Sequence, residues 1–361
     1  MKIGLIIYGD LETLTGGYLY DRKVVEHLRE AGHEVSVISL NRQGYLRNVP
    51  ENLSTKIMDE IETHQPDLLL IDELVHPSLF LRMRNIKTHF SVPVIAIVHL
   101  LAAEAKSNPV TSWFSKRAER KFLHNVDGYV AISQQTVAQV VTLLGLPKPH
   151  VVAYPAGDRF GGEMTEEGIR ANPDRDGPLR ILVLGNLTPR KNALAVLRAC
   201  QDFTAQEVNI TLVGDPEYKP DYTGKIQRFV RKNSMESIVQ IAGKIESPAE
   251  IAQFFKRSDL LVLPSFAEGF PLVHVEAAGF GIPSIATAQS AANEFITHGE
   301  NGYIVSPGDL TKSRGLIREL VKDRDKLATM SVNAFRAYLK HPTWEETGHK
   351  VREFLEGFAY E

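Results

Sequence analysis

The chain has 361 residues, 43% of them apolar and 24% charged, a composition typical of a globular protein with room for two domains. Its net charge of −3 argues against a general nucleic-acid-binding protein, and its single cysteine, Cys200, excludes an intramolecular disulfide. The segment 1–9 is too short for a signal peptide, and no apolar run reaches the ~20 residues that span a bilayer. We therefore expect a cytoplasmic protein, or one peripheral to the cytosolic face of a membrane.

The first residues predict a βαβ opening with glycines at its turn. A strand over 3–8 is followed by Gly16 and Gly17, a helix over about 18–31 and a second strand over 35–40. Glycine allows a backbone to approach a ligand closely, and a helix amino terminus favours an anion or a sugar hydroxyl. The G-x-G-x-x-G spacing of a dinucleotide site is absent, and a tight turn without a ligand is the alternative.

Further strands are predicted over 68–71 and 94–98, and His99 follows the second of them directly. The carboxyl ends of parallel strands are where such sheets carry their sites, so His99 is a candidate site residue. A structural histidine is the alternative at this position, since one histidine has no distinctive spacing.

Residues 113–122 place cations and apolar side chains at helical spacing. Phe114, Ala118 and Phe122 form a stripe that we expect to face the core, whereas four cations extend toward solvent: Lys116, Arg117, Arg120 and Lys121. Two interpretations remain open: a peripheral membrane helix or acidic-acceptor site, and an ordinary amphipathic helix with a charged outer face.

The segment 161–178 lacks apolar periodicity and is rich in Gly, Asp, Glu and Arg, as linkers are. We place the domain boundary there, with a first domain over 1–160 and a second over 178–343. The second domain opens with a strand over 179–184 and a turn that carries Gly185, Asn186, Arg190 and Lys191. Adjacent cations at a strand's carboxyl end suit a diphosphate, although an exposed basic turn is the alternative.

A short apolar strand over 260–264 precedes a loop with Glu268, and Pro271 suits the first turn of the helix that follows. Glu276 lies more than one turn into this helix. Two carboxylates beside a helix amino terminus indicate a ligand that carries both hydroxyls and phosphate.

This stretch resembles the E-x7-E signature of family-4 retaining glycosyltransferases, in the context E-G-F-P-L-x-x-x-E-A-x-x-x-G from Glu268 to Gly279. The resemblance extends over nearly the whole chain. It implies an α/β protein of the GT-B fold: two doubly wound Rossmann-like domains facing across a cleft, with a carboxyl-terminal helix, about 344–361, packing back on the first domain.

The resemblance also implies roles for the candidate residues. Glu276 would hold the ribose hydroxyls of a nucleoside-diphosphate sugar, and Glu268 and His99 would contact the sugar. The catalytic set is His99, Glu268, Lys191 and Arg190. The donor-binding set is Gly16, Gly17, Gly185, Asn186, Gly243, Lys244, Gly269, Phe270, Leu272, Val273 and Glu276.

The chain departs from the family pattern at several positions. Asn186 stands where the family usually has the first phosphate-binding Arg, Asn192 where it has a Gly, and Ala291–Ala292 where it has a Gly pair. Arg190 could supply the missing guanidinium. In the segment 151–160 the family's Asn is Pro155 and the spacing is shorter, so we expect no ligand contact there.

The resemblance implies a retaining glycosyltransferase that uses a nucleotide-sugar donor and a hydroxyl-bearing acceptor without a bound metal. No Asp-x-Asp motif is present. Three alternatives stay open: a GT-B nucleotide-sugar epimerase, a non-catalytic nucleotide-sugar-binding subunit of a polysaccharide-assembly complex, and a phosphorylase-like enzyme. The sugar, the nucleotide base, the acceptor and the oligomeric state are not encoded in a recognisable pattern.

Overall fold

The computed structural model describes residues 1–13, 15–41, 43–101, 109–161, 164–171 and 177–359. The chain divides into two compact units, one formed by Met1–Pro155 with Pro342–Glu361 and the other by Ala156–His341. Each unit is built around a six-stranded parallel sheet with helices on its faces. The predicted pair of doubly wound α/β domains is therefore present.

The sheet of the first unit has the strand order β2-β1-β3-β4-β5-β6, and every pairing in it is parallel. β3 and β4 are buried along their whole length, as expected for central strands covered on both faces. The strands are β1 (Lys2–Tyr8), β2 (Glu34–Leu40), β3 (Leu68–Asp72), β4 (Val94–Val98), β5 (Gly128–Ala131) and β6 (His150–Val152).

The helices of this unit start where the sequence provides suitable first turns. The first begins at Gly16, and the side chain of Ser133 caps another by accepting a hydrogen bond from the Thr136 amide at 3.0 Å. The helices are α1 (Gly16–Glu30), α2 (Tyr45–Asn48), α3 (Lys56–His64), α4 (His76–Leu79), α5 (Met83–Phe90), α6 (Pro109–His124) and α7 (Gln134–Leu144).

The second unit repeats the architecture with the strand order β12-β11-β10-β7-β8-β9, again all parallel. β7 and β10 are neighbours at its centre, so the loops that follow them emerge side by side. The strands are β7 (Leu179–Leu184), β8 (Val208–Val213), β9 (Val239–Gly243), β10 (Leu260–Val262), β11 (Ser284–Thr287) and β12 (Gly302–Val305).

The predicted linker lies inside the second unit and contains a helix. Thr165 caps it by accepting from the Gly168 amide, and Ile169 packs in a small cluster with Val332 and Phe335. One buried residue produces no apolar period, which is why the sequence pattern indicated a linker. The helices of this unit are α8 (Glu166–Arg170), α9 (Ala193–Cys200), α10 (Pro220–Lys232), α11 (Pro248–Lys256), α12 (Leu272–Gly279), α13 (Leu310–Lys322) and α14 (Arg324–Lys340).

The chain then returns to the first unit as α15 (Trp344–Ala359), which packs against α1. The Trp344 ring meets the Tyr20 ring edge-on at 5.9 Å, and the Thr347 hydroxyl donates to the Tyr154 carbonyl at 2.7 Å. None of the helices within the described residues combines the length and apolar character needed to cross a bilayer.

Candidate active site

Glu268 lies in the loop between β10 and α12 and is engaged by both predicted cations. Arg190 Nη1 lies 2.7 Å from one carboxylate oxygen of Glu268, and Lys191 Nζ lies 2.6 Å from the other. Burial alone would raise the pKa of Glu268, but Lys191 and Arg190 outweigh it and lower the pKa to about 2. The carboxylate is therefore ionised at any physiological pH.

The loop after β7 holds these cations in place through its backbone. Gly185 has a φ of +143°, and a Cβ there would contact the Lys191 side chain at 3.4 Å. The Arg190 guanidinium donates to the Ala267 carbonyl at 2.6 Å, and the backbone carbonyl of Arg190 accepts from the Phe266 amide. The two loops are thus fastened together at the carboxyl ends of adjacent strands, where doubly wound sheets bind ligands.

Helix α12 starts at Leu272, and Pro271 occupies its amino-terminal cap position. Gly269, Phe270, Leu272 and Val273 thus lie around the first turn, as the sequence predicts. The first amides of a helix have no partner within it and carry a partial positive charge. Together with Arg190 and Lys191 on the adjoining loop, this edge of the sheet is electropositive around the Glu268 carboxylate.

Glu276 is buried within α12 and pairs with a cation that the sequence did not indicate. Arg159 Nε donates to a Glu276 carboxylate oxygen at 2.5 Å, and the Arg159 guanidinium lies 4.4 Å from the centre of the Phe160 ring. Burial raises the pKa of Glu276, and Arg159 opposes that shift. The expectation that the segment 151–160 makes no ligand contact is untested. The segment does supply Arg159, which pairs with Glu276, the residue predicted to bind the ribose.

Close packing brings Arg159 to this position. A Cβ at Gly157 would lie 2.9 Å from the Val275 side chain and 3.1 Å from the Glu276 amide. Only glycine therefore allows the segment before Arg159 to lie against α12. The single signal in the sequence was an Arg beside a Phe, which has no diagnostic spacing.

His274 is a second residue of α12 that sequence reasoning missed. It is buried, and its Nδ1 has no hydrogen-bond partner among the described residues. Burial lowers the pKa of His274 to about 3, with Lys191 adding to the shift and Glu268 opposing it. The imidazole is therefore neutral.

In the first unit the structure brings Gly17 and His99 together. A Cβ at Gly17 would lie 3.7 Å from the His99 ring, and Gly16 precedes it as the first residue of α1. His99 Nε2 lies 2.9 Å from a carboxylate oxygen of Asp21, a buried residue of α1 that the sequence did not single out. Burial alone would lower the pKa of His99, but Asp21, with Asp72 and Glu73, raises it to about 9.

Protonated His99 donates from Nε2 to Asp21, which leaves the Nδ1 proton as a second donor. The Tyr20 ring meets the imidazole edge-on at 5.4 Å. A histidine with a pKa near 9 is a poor general base at neutral pH, so the chemistry open to His99 is hydrogen-bond donation.

The remaining predicted residues lie at loop positions of the second unit. Gly243 ends β9 with a φ of +82°, and Lys244 forms an exposed ion pair with Glu246. Asn186 is half-buried beside Gly185 in the loop after β7. Asn192, where the family has Gly, adopts a φ of +57°, a conformation that Asn tolerates better than most residues. Ala291 and Ala292 are buried in a 3₁₀ turn, Ala291–Glu294.

Two groups in the first unit have ligand-type atoms within 4.8 Å of one another: Asp21, Asp72 and His99, and Glu73, His76 and Glu119. In the first, His99 Nε2 is already hydrogen-bonded to Asp21. In the second, His76 Nε2 lies 2.9 Å from the Tyr45 hydroxyl and its Nδ1 lies 2.9 Å from the Glu73 carbonyl. In each group the histidine is already engaged in hydrogen bonds.

Two family models match the chain. One described as "Glycosyl transferases group 1" covers residues 164–337, and one described as "Glycosyltransferase Family 4" covers residues 22–157. The N-acetyl-alpha-D-glucosaminyl L-malate synthase of Bacillus anthracis is 33% identical over 363 residues, which cover 92% of this chain and 91% of that protein. The chain spans between 47% and 62% of the length of several other curated relatives.

Solved structures share the fold at low identity. Sucrose-phosphate synthase from Thermosynechococcus elongatus superimposes with a TM-score of 0.85 at 18% identity, over 100% of both chains. Anabaena HepE in complex with UDP superimposes with a TM-score of 0.78 at 19% identity, over 99% of this chain and 100% of that one.

Proposed function

Because this chain belongs to glycosyltransferase family 4, with the GT-B fold, we propose that it transfers a sugar from a nucleoside-diphosphate sugar to an acceptor hydroxyl with retention of configuration. The observation that carries the donor assignment is the cluster of Glu268, Arg190 and Lys191 at the start of α12. This set has a net charge of +1 and lies beside the amino terminus of α12, so it attracts a diphosphate and still offers a carboxylate to sugar hydroxyls.

The chemical step needs charge stabilisation more than a protein nucleophile. As the bond between the sugar C1 and the diphosphate oxygen breaks, negative charge grows on the diphosphate and positive charge on the sugar ring. Lys191 and Arg190 stabilise the first, and in this proposal they, with the α12 amides, replace a metal ion. The acceptor oxygen then bonds to C1 from the same face, and its proton passes to the departing phosphate oxygen.

The other residues bind the ends of the donor. Glu276 accepts from the ribose hydroxyls, while Glu268 contacts the transferred sugar. Gly185, Asn186, Gly243 and Lys244 contribute backbone contacts to the phosphates and the base. Solved relatives of the fold are described in complex with UDP and with UDP-glucose, which supports a nucleotide-sugar donor for this chain. With one buried cysteine, the protein suits the reducing cytosol, where we place the reaction.

Calorimetry with a panel of nucleoside diphosphates and their sugars tests the donor site. We expect Lys191→Ala and Glu276→Ala each to weaken binding about tenfold to a hundredfold, since each removes charge-assisted hydrogen bonds. Lys225→Ala, which removes an exposed cation of α10, should leave affinity unchanged. Unchanged affinity in the Lys191 and Glu276 variants, in a protein that still binds a nucleotide, would place the donor elsewhere.

Product analysis separates transfer from the alternatives. A transferase consumes the donor faster when an acceptor is present, and the anomeric configuration of the product reports retention. An epimerase would convert the donor without an acceptor, and a non-catalytic subunit would bind the donor and leave it intact. A relative that is named for L-malate glycosylation makes small hydroxyl-bearing acids the first acceptors to screen, before glycans and lipids.

A further inference from the structure

The first unit exposes large apolar side chains in one region. Four strongly exposed residues lie on α2, in the 3₁₀ turn Val49–Leu53, in the turn between α4 and α5, and on α6: Leu46 at 62%, Leu53 at 79%, Leu81 at 45% and Trp113 at 60%. We name them, together with the exposed cations beside them, the basic apolar patch: Arg47, Lys116, Arg117 and Lys121.

Contacts beneath the patch show that its members are neighbours. Phe114 meets the rings of Tyr45 and Phe80 edge-on, each at 6.2 Å between centres. Trp113 directly precedes Phe114 in the chain, Leu46 directly follows Tyr45, and Leu81 directly follows Phe80. The backbone of each exposed residue therefore lies about 3.8 Å, one Cα–Cα distance, from a residue of this aromatic cluster.

Leu53 joins the same region through Asn52. The Asn52 side chain accepts from the Leu81 amide at 2.8 Å and donates to the Pro77 carbonyl at 2.7 Å. The residue that follows it, Leu53, is therefore held beside Leu81. The four exposed apolar residues therefore lie in one region of the first unit, which distinguishes them from surface leucines that are scattered singly.

The charge of this surface has one sign. The Arg117 guanidinium lies 4.7 Å from the centre of the Trp113 ring, and Lys121 Nζ lies 6.0 Å from the Phe80 ring. Lys116 and Arg117 are one helical turn from Trp113 and so share its face of α6. Within residues 45–53, 76–90 and 112–124, the carboxylates are Glu51, which is half-buried, and Glu119, which is fully buried.

We propose that the basic apolar patch binds the surface of a membrane that contains anionic lipids. The exposed leucines and Trp113 enter the headgroup region, and the surrounding cations pair with lipid phosphates. An anionic lipid surface complements both features, whereas a nucleic acid or an acidic protein would use the cations and leave the leucines without an apolar partner. This proposal does not depend on the chemistry at Glu268.

Tryptophan fluorescence provides a local reporter, because Trp113 is exposed and the other tryptophan, Trp344, is buried. With vesicles of phosphatidylcholine and phosphatidylglycerol we expect a blue shift of emission and protection from acrylamide. Both effects should be absent with phosphatidylcholine alone and should disappear in Trp113→Phe. An unchanged spectrum with anionic vesicles would overturn the proposal.

Vesicle flotation tests the two components separately. Lys116→Gln/Arg117→Gln should weaken binding about twenty-five-fold, since each cation near an anionic surface contributes about fivefold. Leu53→Asp/Leu81→Asp should abolish it. The matched controls lie in the second unit: Lys256→Gln/Arg257→Gln removes an exposed Lys-Arg pair, and Leu339→Asp charges a leucine that is 62% exposed. If the control variants lost vesicle binding as strongly as the patch variants, binding would depend on the net charge of the protein, and the proposed role of the basic apolar patch would be wrong.

Two further outcomes would assign the patch to another occupant. If single-stranded RNA competed with anionic vesicles and bound wild type and Leu53→Asp/Leu81→Asp alike, the cations would serve a nucleic acid. If sedimentation showed a dimer that Leu53→Asp converts to a monomer, the patch would be a contact between copies of this chain. Either result contradicts membrane binding.

Discussion

Glu276 is a buried carboxyl group whose ionisation depends mainly on one neighbouring cation. Burial raises its pKa, and two cations oppose this shift: chiefly Arg159, 2.5 Å away, and to a smaller extent Lys191. An ionised carboxylate accepts hydrogen bonds from ribose hydroxyls at both of its oxygens, whereas a protonated carboxyl presents an O–H donor at one of them. Arg159 favours the ionised form of Glu276, the form that accepts from ribose hydroxyls at both oxygens. Arg159 is therefore a positioning residue in the proposed donor site.

Arg159→Ala should weaken the binding of nucleoside diphosphates about tenfold at neutral pH. Without its guanidinium, Glu276 has a still higher pKa, so the loss should be larger at pH 5.5 than at pH 8, a dependence that a purely structural role would not produce. Titration calorimetry at both pH values measures it, with Arg336→Ala as a control that breaks an exposed ion pair in the same unit. Equal or tighter binding would mean that Arg159 competes with the ribose.

The pair of His99 and Asp21 predicts a pH dependence in the first unit. The groups that raise the pKa of His99 to about 9 are Asp21 on α1, Asp72 at the end of β3, and Glu73 directly after it. Because an unfolded histidine titrates near 6.5, the charged form is favoured by folding. This stabilisation is fully present below about pH 6.5 and is lost as the pH rises through 9.

Asp21→Asn should reduce the fall in stability between pH 6.5 and 9, because the largest favourable charge beside His99 is gone. Urea unfolding at a series of pH values measures the slope of the unfolding free energy against pH. Comparing this slope between variants removes the effect of a loss of stability that is the same at every pH. Glu26→Gln, an exposed carboxylate of the same helix, serves as the control. A slope in Asp21→Asn equal to that of wild type would exclude Asp21 as the group that keeps His99 charged.

Among individual residues, the sequence predicts the site residues in the loops after strands. It does not predict the charged residues that pair with site residues from distant parts of the chain. Glu268, Arg190 and Lys191 were predictable as a group because they lie at the carboxyl ends of adjacent parallel strands. Arg159 is 117 residues from Glu276, and Asp21 is 78 residues from His99. Pairings over such distances depend on packing and leave no spacing in the chain.

At the scale of elements, the long, strongly patterned segments were predictable and the short ones were not. The strands over 3–8, 94–98 and 179–184 and the core stripe of α6 are present. The helix α8 was missed because it has five residues and buries one of them, and β6 was missed because it has three. Such elements form when tertiary packing fixes them, since neither is long enough to be stable alone.

The contact between α1 and α15 leaves no space at Gly348. A Cβ there would lie 2.7 Å from His27 Cβ, whereas around Gly357 of the same helix nothing lies within 4 Å. Gly348→Ala should therefore destabilise the protein by about 1–3 kcal/mol through overpacking. Gly357→Ala should instead stabilise it by up to about 1 kcal/mol, since Ala is the better helix former. Thermal unfolding of both variants measures the difference. A Gly348→Ala protein as stable as Gly357→Ala would show that the helices separate without cost.

At the scale of the whole molecule, the two units differ in how the chain builds them. The second unit is one continuous segment, and the first is completed only when α15 returns to it after residue 341. The candidate donor residues Arg159, Arg190, Lys191, Glu268 and Glu276 all belong to the second unit. The basic apolar patch, His99 and Asp21 all belong to the first.

This division predicts where two perturbations act, as measured by hydrogen exchange and mass spectrometry. A nucleoside diphosphate at a hundredfold excess over its dissociation constant stabilises the state that binds it by about 2.7 kcal/mol. We expect the strongest protection in peptides that cover 185–192 and 265–279, because the cations and the α12 amides lie there.

Gly348→Ala should increase exchange in α1 and α15 and leave the peptides of β7 and β10 unchanged, since its contact is confined to the first unit. Gly357→Ala serves as the control for the mutation itself. If Gly348→Ala accelerated exchange equally in both units, they would unfold as one cooperative body, and the assignment of α15 to the first unit alone would be wrong.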